Sequence, residues 1–118
     1  MTANALFDYV LALMFSGENE KSEMEKQFLS TLNIHLAELR KKENGFRKEP
    51  LLVAPVITSI NEKVDYDPRI LAFIHWGIAG VMMAEDEPNI AAQYKNKYEE
   101  EKASCIVCEF VEVGDEVQ

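Results

Sequence analysis

The sequence predicts a small, mostly α-helical domain: four helices, an extended connector that contains proline, and a short strand-like C-terminal tail. Three observations carry that prediction. Apolar residues recur at helical spacing in two stretches before Gly45. The stretch DPRILAFIHWGIAGVMMAEDEP, residues 67–88, is apolar on nearly every side and fenced by carboxylates and proline. The stretch PLLVAPVITSI, residues 50–60, is broken by Pro50 and Pro55 and rich in β-branched side chains, which suits extended chain.

Leu6, Phe7, Val10, Leu11 and Met14 place the first helix over residues 3–15, closed by Ser16 and Gly17. The second begins at Ser22, where SEME has capping-box form, and carries the stripe Met24, Phe28, Leu32, Leu36 and Leu39. It is expected to run to residue 42, with Arg40, Lys41 and Lys42 at the negative end of its dipole and Gly45 as C-cap. Residues 46–66 form the connector, with at most one short strand. Asp67 as N-cap and Pro68 at the first helical position restart the helix over residues 68–84. Glu87-Pro88 repeats the device for the fourth helix, which turns Ile90, Ala91, Tyr94 and Tyr98 inward and most of its Lys and Glu residues to water.

A helix that is apolar all round is a buried one, so residues 68–84 are expected to be a central rod with the other helices around it. Ala72, Gly77, Ala79 and Gly80 would let neighbouring backbones approach, since glycine inside a helix costs about 1 kcal/mol against alanine and needs a packing reason.

The tail is expected to be different in kind. CIVCEFVEV, residues 105–113, has strand-like composition with no hairpin partner near it, so residues 1–103 read as the helical domain and 104–118 as an extended tail. Such a strand would pair with the connector near Val56 and Ile60, or add to another subunit's sheet. Ile106, Val107, Cys108, Phe110, Val111 and Val113 are the candidate interface residues.

At 118 residues the chain makes one domain with a thin core. A formal charge of -9, from 21 acids against 12 bases, argues against a nucleic-acid binder held by phosphate contacts and against docking on anionic lipid. The apolar run from Ile70 to Ala84 falls short of the roughly 20 residues that cross a bilayer, and the N-terminal run lacks a basic leader segment. The expectation is a soluble protein made in a reducing cytoplasm, with no membrane partner.

Chemical motifs are sparse. Cys105 and Cys108 have C-x-x-C spacing, but zinc needs four ligands and no second pair follows. His75, beside Trp76, reads as a core or interface histidine whose ring N–H meets a backbone carbonyl, and His35 would join a metal site only by coincidence of folding. No nucleophile and base stand in a recognisable spacing, and there is no phosphate-binding loop. No catalytic, cofactor-binding or metal residue is therefore assigned, and an enzyme is the weaker class.

The order of the pieces adds a resemblance. FLSTLNIHLAELRKKEN, then PVITSINEKVDYDP, then ILAFIHWGIAGVMMAEDEP and IAAQYKNKYEEEKA together resemble the head-to-tail adaptor (connector, head completion) proteins of tailed bacteriophages over about residues 3–103. The resemblance implies a small four-helix adaptor-type subunit and a structural virion protein without catalytic residues. It also implies a homo-oligomeric ring, commonly of twelve copies, docked beneath the portal protein and joined to the tail or to further connector proteins. The protein would sit at the head–tail interface of the virion, after synthesis in the host cytoplasm, and DNA would meet it only as a duplex passing through the channel. The rival from another class is an acidic DNA mimic that inhibits a host nuclease or restriction enzyme. Rows of carboxylates along exposed helices would mark it, and Arg40-Lys41-Lys42 and Arg47-Lys48 interrupt such rows.

Overall fold

The computed structural model describes the backbone of residues 1–16 and 18–117 and the side chains of residues 1–16 and 19–105. The described elements are α1 (Ala3–Leu13), a 3-10 turn (Glu18–Glu20), α2 (Lys21–Glu38), α3 (Arg40–Asn44), α4 (Pro68–Met82) and α5 (Pro88–Val117). There is no strand among the described residues, and one isolated bridge joins Thr2 to Lys63.

Helix α1 starts where the Thr2 hydroxyl accepts the Ala5 N–H at 3.2 Å and buries Leu6, Phe7, Val10 and Leu11. It ends in a Schellman motif, with Phe15 N–H on the Ala12 carbonyl and Ser16 N–H on the Leu11 carbonyl. The left-handed residue of that motif is Phe15, at φ 59°, where glycine is the usual occupant. Helix α2 meets α1 through a stacked pair, Phe7 on Phe28, with ring centroids 4.3 Å apart. The capping box expected at Ser22 does not form. The 3-10 turn leads directly into Lys21, and Glu20 sits at the N-cap without a side-chain bond.

The helix expected over 22–42 divides at Leu39, which stays in the core while α3 turns away. That turn brings Glu43 inward, where it is 2% exposed and engaged with Asp67 and Arg47. The connector forms no strand. Its far end pairs instead with the chain's first residues: Ala3 N–H on Glu62 O at 2.8 Å, Asn4 N–H on Ile60 O at 2.7 Å, and Val64 N–H on Met1 O at 2.8 Å.

Helix α4 lies at the centre, packed against α1, α2 and α5. Asp67 caps it through the Arg69 N–H at 2.9 Å, and Ile70, Phe73, Ile74, Ile78 and Ala79 are all buried. Two of the four small residues serve as close-contact points without ambiguity. A Cβ on Gly77 would stand 2.7 Å from His35 Nε2 and 2.8 Å from Tyr98 Cδ1; one on Gly80 would stand 2.8 Å from Lys95 Cγ and 3.3 Å from the Ala91 carbonyl. Ala79 is buried as well, but Ala72 is exposed.

The strand-like tail is overturned. Helix α5 crosses residues 103–104 without a break and continues to Val117. A lone strand needs an edge to satisfy its N–H and C=O groups, and no described strand offers one, whereas a continued helix satisfies them internally. The β-branched composition of CIVCEFVEV gave way to that requirement.

Gly77→Leu and Gly80→Leu are each expected to cost about 1–3 kcal/mol by overpacking, with Gly77→Leu the worse because two buried rings bound its site. Urea melts check this. Parental midpoints in both variants would contradict the placement of α4.

Candidate interaction surface

The connector looks irregular but is tightly held. Asn33, in α2, accepts the Ile57 N–H at 2.7 Å and donates to the Ile57 carbonyl at 2.9 Å. Asn44, in α3, treats Leu51 in the same way, at 2.7 Å and 3.1 Å, and Arg40 adds a bond to the Leu51 carbonyl at 2.8 Å. Each amide thus offers an extended residue the donor and acceptor that a neighbouring strand would offer. Farther on, one oxygen of Glu62 accepts the Thr58 N–H at 2.6 Å and the Ser59 N–H at 2.7 Å. These backbone bonds hold the Glu62 carboxyl below its ordinary pKa.

Between the two amide clamps the side chains point to water. Leu52, Val53 and Val56 are 89%, 77% and 67% exposed, whereas Ile57, beneath the second clamp, is 5% exposed. Ile34, next to Asn33, adds a fourth exposed apolar side chain. A segment free to move would fold such residues back; here the clamps fix the backbone and present them. Lys41 on α3, next to the Arg40 that bonds Leu51, and Lys48 are exposed, as is Glu49.

Glu43 fastens the edge to the core. Its Oε2 accepts from Arg47 Nε at 2.6 Å and its Oε1 accepts the Asp67 N–H at 2.7 Å, joining α3, the connector and the start of α4. Arg47 also donates to the Asp65 carbonyl. Tyr66 donates to the Leu36 carbonyl, and burial, with the nearby Glu43 charge, pushes its phenol up to about 12. Arg69 lies over the Phe46 ring at 3.8 Å, and both line a cavity of about 330 Å³ with Phe73, Glu101 and Cys105.

A second polar cluster ties α2 to α5. Tyr98 donates to Glu38 Oε1 at 2.7 Å, and Lys102 donates to the same oxygen at 3.1 Å. Burial, followed by the Glu38 hydrogen bond and charge, raises the Tyr98 phenol. Burial opposes the Glu38 charge, but the bonds from Tyr98 and Lys102 outweigh it and leave the carboxyl below its ordinary value. His35, buried beside Tyr98, donates from Nδ1 to the Thr31 carbonyl at 2.8 Å, since a carbonyl can only accept.

The role expected of His75 therefore belongs to His35. His75 is half-buried against Trp76 and Tyr9, and burial lowers its pKa. Cys105 is half-buried, while Cys108 and the other tail candidates, Ile106, Val107, Phe110, Val111 and Val113, have side chains outside the described residues. Among the described residues no three His, Cys, Asp or Glu side chains converge as a metal site would require, and no helix is long and apolar enough to cross a membrane. The clamp residues Asn33, Asn44 and Glu62 were not expected from the sequence. Asparagine inside or closing a helix is the one signal that could have pointed to Asn33 and Asn44; nothing local marks Glu62.

Comparison with known protein families, with curated proteins and with solved structures finds no match for this chain.

Because the folded Glu38 pKa is depressed, its contribution to stability is present above the unfolded value, near 4.5, and is lost as pH falls through the folded value. Glu38→Gln is expected to be less stable than the parent at neutral pH and to converge on it at acid pH. Urea melts across that range check this, and a constant gap would contradict the coupling.

Proposed function

We propose that this chain is a structural assembly subunit, the head-to-tail adaptor of a tailed bacteriophage, which forms a ring beneath the portal and joins the DNA-filled head to the tail. The observation that supports this reading best is the clamped connector. An ordered apolar edge, held away from the core by side chains with no other task, is what a docking subunit needs and what a small enzyme does not. The order of the sequence segments supports the same class, and the mostly helical fold agrees with it. Ile106, Val107, Cys108, Phe110, Val111 and Val113 stay within the proposal as a second contact.

The DNA-mimic reading fares less well on the described surface. Lys102 sits between Glu38 and Glu99, and Lys97 lies 3.8 Å from Glu101, so the carboxylates of α5 are interleaved with bases rather than ranked like phosphates.

Co-expression with a portal protein drawn from the genome that encodes this chain tests the proposal. The parent is expected to co-elute with the portal ring, and Leu52→Asp with Val53→Asp is expected to keep parental helicity while weakening capture at least about tenfold. A chain that ignores the portal but inhibits a nuclease stoichiometrically would overturn the adaptor reading in favour of the mimic.

A further inference from the structure

The clamped edge has a counterpart at the other end of α4. Asp67, at the start of α4, is bonded to Glu43 of α3, so the connector edge and α3 lie at that end. Fifteen residues later α4 runs into the turn that carries Glu85, Asp86 and Glu87, all exposed, about 22 Å away along the helix axis. Charge is divided between the two ends. Residues 40–49, RKKENGFRKE, hold five bases and two acids, with Asp65 beside Arg47 as a third, whereas 85–87 are acids only.

Each end also carries apolar side chains in water. At the acidic end Val81, one turn before the acids, is 44% exposed and Phe15 is 79% exposed. The end of α1 is held there by α5, with Tyr94 donating to the Leu13 carbonyl at 2.8 Å. Phe15 is the stranger of the two. It occupies the left-handed position of the Schellman motif at φ 59°, where a side chain is strained, and its ring gains no burial in the monomer to offset that strain. A large aromatic held rigidly in water at a glycine position is the kind of residue that anchors an interface.

We propose that the occupant of the clamped connector edge is a second copy of this chain, joined head to tail. The acidic, aromatic end of one copy (Phe15, Val81, Glu85 and Asp86) seats on Leu52, Val53 and Val56 of the next, with Lys41 and Lys48 facing the acids. The two patches differ and complement each other in charge, so the contact is heterologous, the type that repeats from copy to copy rather than closing as a symmetric pair. This deepens the ring reading and rests on it for closure of the chain of copies; the weaker portal capture expected of Leu52→Asp with Val53→Asp then follows from losing the ring's multiple portal contacts, not from a portal contact of that edge. The contact itself is testable without a portal.

The experiment measures self-association of the full chain by sedimentation at low and high salt. The parent associates at low salt and dissociates as salt screens the acid–base contacts. The variant Lys41→Glu with Lys48→Glu and the variant Glu85→Lys with Asp86→Lys each remain monomeric alone, because the altered side chains face like charge on the neighbouring copy. Mixed in equal amounts they associate, since the altered end of each complements the altered end of the other and their unaltered ends still complement each other. Phe15→Gly melts no lower than the parent, because glycine relieves the strain, yet associates at least about tenfold more weakly. A parent that stays monomeric at low salt, a mixture that fails to associate, or a Phe15→Gly chain that associates like the parent would overturn the proposal. A chain that associates as described but does not bind a portal leaves this contact standing and removes the adaptor reading instead. Binding to the portal without self-association does the reverse.

Discussion

Helix α4 sets the constraint under which everything else in the chain is arranged. Its large buried side chains each gain about 1.5–3 kcal/mol by leaving water, and the buried set runs around most of the helix, with Ile70, Phe73, Ile74 and Ile78 on one face and Leu71, Met82 and Ala79 carrying it round the side. One neighbour cannot cover them. Three helices therefore close on α4, and the glycines set how near they come. His35 and Tyr98 sit in the space left by Gly77, and Lys95 crosses Gly80. The Tyr98–Glu38–Lys102 cluster then holds α5 to α2 over this packed centre.

Covering α4 leaves the chain with a problem of length. Residues 46–66 must pass from the end of α3 to the start of α4 by way of the N-terminus, without a sheet to receive their backbone groups. Side chains take the place of the sheet. Asn33 and Asn44 each bond both backbone groups of one connector residue, Glu62 collects the N–H groups of the turn, and Glu43 anchors the end of the path to α3. The same clamps that solve the hydrogen-bonding problem keep Leu52, Val53 and Val56 in water, so the docking edge follows from how the connector is secured.

Much of this arrangement was legible in the sequence, and the reasons differ by element. The stripe Leu6, Phe7, Val10 and Leu11, the Asp67-Pro68 start of α4 and the inward set Ala91, Tyr94 and Tyr98 follow from local periodicity and capping chemistry, and the structure has them as read. The division at Leu39 was not legible, because it depends on Glu43 meeting Asp67, a partner 24 residues away. The tail misled for the opposite reason. Its composition favours a strand, but strand formation is decided by an available edge, and that is a property of the whole fold. The docking edge was not foreseen: the prolines and β-branched residues of 50–60 marked an extended connector, while its exposure and the clamps that hold it depend on bonds from α2 and α3 that no spacing reveals.

Residue-resolved amide hydrogen exchange shows whether the connector is a fixed edge clamped by side chains. The Leu51 and Ile57 amides, each donated to an asparagine, are expected to exchange far more slowly than those of Leu52 and Val53 between them, and Asn33→Ala with Asn44→Ala is expected to abolish the difference. Uniformly fast exchange from residue 51 to 57 in the parent would contradict a fixed, clamped edge.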